Sequence, residues 1–192
     1  GAFALGWLAL TAIVACYGLA RFLAHRFARA EEGAIDAGLV MLPVGGGWLI
    51  CSRAGLQPGG FSEPIIALTA AHFHYAAFGA LLLAGLVGRH LPPGRAAARA
   101  LYRPIVAGIV AGIPLVALAI SDLLPEPPGA LLLTVSLLGL SGLIATLLPR
   151  LRHPAARALL IVSALAPLLS MTLACGYALR EQYPALALPI AQ

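Results

Sequence analysis

Lysine is missing from this chain and charge of either sign is scarce: of 192 residues, 10% are charged and 61% are hydrophobic. A soluble domain usually carries about 25% charged residues, so this composition excludes a water-exposed globule. Cysteine is sparse as well. Cys16, Cys51 and Cys175 are odd in number and each lies in or at the end of an apolar stretch. They signal neither a disulfide framework nor a metal site, and buried packing is the expectation for all three. Nucleotide, phosphate-loop and haem-attachment motifs are absent, and no internal repeat is detectable. The first apolar stretch lacks the charged n-region of a secretory signal, so it reads as a transmembrane helix.

What the chain does have is length in apolar runs. Crossing a hydrocarbon core of roughly 30 Å takes about 20 apolar residues, and such segments recur near 2–21, 34–54, 64–88, 104–124, 129–149 and 157–179. The expected fold is all-α, a polytopic transmembrane bundle of about six helices forming a single domain over 1–192. The closing stretch ALALPIAQ reads as the opening of a further element.

The formal charge of +5 comes entirely from arginine. Arg21, Arg26 and Arg29 follow the first segment, Arg53 the second, and Arg89, Arg95, Arg99 and Arg103 the third. None lies between the fourth and fifth, and Arg150, Arg152 and Arg157 precede the sixth. Arginine-rich loops alternating with poor ones are what the positive-inside rule predicts when the first, third and fifth loops are cytoplasmic. The N-terminus then faces outward. These arginines therefore mark topology and anionic-lipid contact in a bacterial inner membrane, rather than nucleic-acid binding.

Ionisable groups within apolar segments are costly enough to be functional candidates, and the run FSEPIIALTAAHFHYAAFGALLLAGLVG, residues 61–88, holds the richest set. Pro64 suits the first helical turn, with Ser62 or Glu63 as cap. His72 and His74 then fall near mid-membrane. Residues two apart on a regular helix point about 200° from each other, so the two histidines do not ligate one metal. Either they face different neighbours or the helix deforms. Glu63 and His74, eleven residues apart, return to nearly one face of a regular helix. Tyr75 adjoins the pair, and Asp122, near the outer end of the fourth segment, lies at about the level of Glu63.

Elsewhere the ionisable groups read as interfacial. His25 sits among arginines in the first loop, Glu31 and Glu32 suit the first turn of a helix, and Asp36, one turn further, reads as reaching headgroup water. Its other reading is an inward carboxylate at the cytoplasmic side of a cavity. Pro43 followed by Gly45, Gly46 and Gly47 predicts a kinked or unwound second segment, unless neighbouring helices pack over the glycines. Gly108 and Gly112 form a small-xxx-small pair that favours close helix approach.

The stretches LTAAHFHYAAFGALLLAGL, RAGLQPGGFSEPII and YPALALPIAQ resemble the YndJ-like family of bacterial integral membrane proteins over roughly 35–192. The resemblance implies a multi-span membrane protein with a transporter association, and carries His72, His74 and Tyr75 as motif positions, with Glu63 by proximity. It also implies that members continue into another hydrophobic helix containing a His-Gly and an Asn.

Two functions follow as expectations. The preferred one is a membrane-embedded enzyme that isomerises, cyclises or hydrolyses a lipophilic substrate, with His74, His72, Glu63, Asp122 and Tyr75 as the catalytic set and no cofactor. The alternative is a small transporter or proton-coupled channel using the same residues.

Overall fold

The computed structural model describes residues 1–25, 28–121 and 123–182, the side chains of 126 and 174–182 excepted. Every regular element among the described residues is helical. Six helices are long and apolar enough to cross a membrane: α1 (Ala2–His25), α2 (Ala30–Ala54), α3 (Glu63–His90), α4 (Ala96–Ile120), α5 (Glu126–Leu147) and α6 (Pro154–Gln182). The chain is thus an all-α polytopic membrane protein. It divides into two compact units, Gly1–Arg89 and His90–Gln192.

In the first unit α2 packs against both α1 and α3. Short connections make antiparallel neighbours, and glycine lets the backbones approach. A Cβ on Gly18 would lie 2.7 Å from that of Leu39, one on Gly38 would lie 3.2 Å from that of Leu81, and one on Gly85 would run into Ile35 and the Glu31 carbonyl. With so little polar side chain available, close van der Waals fit is the main force holding these helices together in lipid. The expected unwinding of the second segment does not occur. Helix α2 runs unbroken through Pro43, Gly45, Gly46 and Gly47. Gly45 and Gly46 are covered by side chains of α3 and α1, and this packing outweighs the low helix propensity of the run.

Helix α2 ends where Gly55 takes a left-handed conformation (φ 66°), and the Leu56 amide donates to the Cys51 carbonyl at 2.9 Å, a glycine-terminated cap of the Schellman kind. Ser62 is the N-cap residue of α3 by backbone conformation, without a side-chain capping bond, and Glu63 and Pro64 open the first turn.

In the second unit α5 packs against α4 and α6. Gly108 faces Ser136 and Gly112 faces Leu133, while from the other side Gly139 meets Ile105 and Gly129 meets Leu115. The small-xxx-small pair of α4 therefore has α5 as its partner. Helix α4 begins at Ala96, eight residues ahead of the expected 104. Hydropathy stops at Arg99 and Arg103, but alanine and arginine are both good helix formers, and Arg99 folds back onto the carbonyls of Leu91 and Pro92.

The expectation of buried cysteines fails for Cys16, which is exposed, while Cys51 is intermediate. Helix α1 turns only one face to its unit, and Cys16 lies off it. The side chain of Cys175 lies outside the described residues.

Candidate functional site

The His72–His74 segment is where the helix deforms. From Phe73 to Ala77 the chain takes a π-helical turn, with the Phe78 amide reaching the Phe73 carbonyl five residues back. Single π turns inside α-helices are frequent at functional sites. The wider turn breaks the regular stripe on which Glu63 and His74 would share a face, and among the described residues no hydrogen bond or ion pair joins them. The Glu63 carboxylate instead accepts from the Ser52 hydroxyl at 2.9 Å, tying the end of α2 to the start of α3.

His74 is committed on both nitrogens. Its Nδ1 lies 2.7 Å from the Ala70 carbonyl, one turn back, and its Nε2 lies 2.7 Å from Trp7 Nε1 on α1. A carbonyl only accepts and an indole N–H only donates, so this ring is neutral with its proton on Nδ1. It lies over Gly45, where a Cβ would stand 2.5 Å from Nδ1. One imidazole therefore joins all three helices of the unit. His72 is exposed, as is Tyr75, at 82%. Asp122 lies outside the described residues.

The expected catalytic set is thus dispersed among the described residues: Glu63 is on Ser52, His74 is closed between Trp7 and Ala70, and His72 and Tyr75 face away. An open groove of about 500 Å³ passes Trp7 along α1 and α2, lined by Gly1, Phe3, Ala4, Leu49 and Arg53 as well. Apart from Arg53 its lining carries no charge.

A second constellation, at the opposite end of α2, gathers far more charge. Arg21 and His25 lie one turn apart on α1, and Glu32 and Asp36 one turn apart on α2. The short connection between the helices brings the two pairs level. Arg21 contacts Glu32 at 2.6 Å and Asp36 at 3.0 Å; His25 Nε2 is 3.4 Å from Asp36 Oδ2. From α3, Arg89 grips Glu32 with both Nε and Nη2, at 2.8 and 2.7 Å, a two-pronged geometry suited to guanidinium and carboxylate. Arg21 also lies over the Tyr17 ring, 5.7 Å from its centroid, where a cation is attracted to the π face.

Burial sorts these groups. Asp36 is 0% exposed, whereas Arg21, His25 and Arg89 keep 28%, 29% and 44% of their side chains accessible. The expectation that Asp36 reaches headgroup water is overturned, while His25 keeps an interfacial position and gains Asp36 as its neighbour. Gly18 brings α1 close against the backbone of α2 at Asp36, whose carbonyl would lie 3.0 Å from a Cβ there. The contact shuts out solvent. A buried carboxylate is strongly disfavoured unless it is paired, and Arg21 and His25 supply that pairing. The pairing is nonetheless incomplete: both Asp36 oxygens and His25 Nδ1 are buried with no hydrogen-bond partner among the described residues. The sequence signal for this site is an Arg and a His four apart at the end of one apolar helix, then a Glu and an Asp four apart at the start of the next. Among the described residues no group of three or more His, Cys, Asp or Glu could hold a metal ion.

Comparison with known proteins gives a family without a mechanism. The model of the YndJ-like protein family matches residues 1–192. A relative from Bacillus subtilis (strain 168), described as an uncharacterized membrane protein YndJ, is 42% identical over 89 residues. That match covers 46% of this chain and 16% of the Bacillus protein. No solved structure matches.

Proposed function

The chain belongs to the YndJ-like protein family, and from that premise we propose that it works in proton-coupled transport across a bacterial cytoplasmic membrane, with the ionic site around Asp36 as its proton-handling centre. The observation that carries this reading is the complete burial of Asp36 between Arg21 and His25. Ionisable residues within spanning helices are expensive, and they recur in pumps and transporters as links in proton relays. The cost is borne here by three helices at once, since Glu32 extends the network to Arg89 on α3. The arginine-rich loops support a cytoplasmic position for this end.

Proteoliposomes holding the protein and a trapped pH-sensitive dye test the proposal. Under an imposed potential the wild type should carry protons faster than protein-free vesicles, and Asp36→Asn should lower that rate by about tenfold or more while helix content stays constant. No flux from the wild type, or full flux from Asp36→Asn, overturns it.

The acid/base enzyme acting on a lipophilic molecule remains as a second reading, favoured by the π turn at Phe73–Ala77. His72, exposed beside that turn, is its base. Loss of turnover of a lipophilic substrate in His72→Ala, with proton flux unchanged, would favour this reading.

A further inference from the structure

Resting on the transport reading, we infer that the group which takes up and releases the proton at this site is His25, at Nδ1, and that Asp36 is its positioning counter-ion. A proton carrier needs a lone pair that is free in the resting state, a nearby charge that welcomes the proton, and a way back to solvent. The described histidines of the first unit differ on these points. His74 has none to spare: its Nε2 lone pair holds the Trp7 N–H, and a proton there would set two donors face to face. His72 is exposed with no described carboxylate beside it. His25 meets the first two, and part of its ring reaches the surface although Nδ1 itself is buried. Its Nε2 faces the Asp36 carboxylate at 3.4 Å, which favours keeping a proton on that nitrogen. Its Nδ1 is then the open lone pair, and it is buried without a partner among the described residues. With 29% of the side chain exposed, the ring borders both the buried carboxylate and the surface.

The carboxylate beside the ring favours the step. His25 faces Asp36 on α2, and Asp36 belongs to a network with Arg21 on α1, Glu32 on α2 and Arg89 on α3, the two arginines already engaged with carboxylates. Two arginines and two carboxylates make up the paired set around the ring. A proton on Nδ1 converts imidazole to imidazolium beside the Asp36 carboxylate and breaks no other bond. Asp36 holds the ring by charge, with Arg21 3.0 Å from its other oxygen.

Protein labelled with 15N-histidine in lipid nanodiscs, together with the flux assay, tests this assignment. On titration His25 should pass from the Nε2–H tautomer to the doubly protonated ring, while His74 keeps its Nδ1–H signature. In Asp36→Asn the preference of neutral His25 for Nε2–H should be lost. His25→Gln should slow flux by about tenfold or more. A His25 ring that never becomes doubly protonated overturns the inference, whatever the flux. So does wild-type flux from His25→Gln when Asp36→Asn has lost it, and in that case the transport reading stands. If the wild type carries no protons, transport falls, and the histidine spectra alone decide whether Nδ1 binds the proton.

Discussion

At the scale of single residues, the first unit places its two polar stations at different levels of α2 and gives them different chemistry. Nine residues, about 13.5 Å of helix, separate Asp36 from Gly45, the seat of His74. One station is ionic and half open. The other is a neutral clasp in which every nitrogen is used. Trp7→Phe removes the indole donor and leaves His74 Nε2 without its partner, which should cost about 1 kcal/mol, the usual scale for hydrogen bonds between spanning helices. Reversible unfolding in mixed micelles would measure it. Combining Trp7→Phe with His74→Ala should cost less than the two single changes added together, because both delete the same bond. Strict additivity would show that the two rings merely adjoin. The histidines were visible in the sequence as costly groups, but their roles were not. Whether a ring nitrogen is free depends on a tryptophan 67 positions away.

At the scale of the helix, glycines that look alike in sequence divide sharply by what lies above them. Gly45 is roofed by the His74 ring, whereas Gly47, two residues on, has nothing within 4 Å. Gly45→Ala should therefore destabilise the protein by about 1 to 3 kcal/mol through overpacking. Gly47→Ala should be neutral or stabilising by up to about 1 kcal/mol, because alanine is the better helix former. Thermal unfolding of the two variants in one detergent checks the contrast, and equal effects would contradict the packing described for α2. The run Gly45–Gly47 signalled weakness or contact without distinguishing them. Propensity sums along one helix, while the contacts that cover its glycines come from two others. The sequence allowed a deformation of α3 as one way of reconciling His72 with His74, without its π form. Within the π turn the His74 ring contacts the Ala70 carbonyl and accepts from Trp7 on α1.

At the scale of the whole molecule, the alternation of arginine between loops predicts that residues 55–62 face outward and the connection around Gly94 faces the cytoplasm. In a variant whose three cysteines are replaced by alanine, a membrane-impermeant maleimide should label Gln57→Cys in intact cells and Gly94→Cys only after the membrane is opened. The reverse pattern would invert the protein and put the Asp36 site on the outer side.

The number of spanning helices and their approximate limits were determined by the sequence alone, because hydropathy is additive along the chain and the bilayer sets a fixed length. The arginine alternation is equally local, and is readable for the same reason. Which carboxylate would be buried was decided only by the tertiary structure. Glu63, at the mouth of the richest apolar run, stays exposed on Ser52, while Asp36, near the end of its helix, is sealed by α1 and loses all contact with solvent. Burial is a property of neighbouring helices, and only their packing against α2 sets Asp36 apart from Glu63.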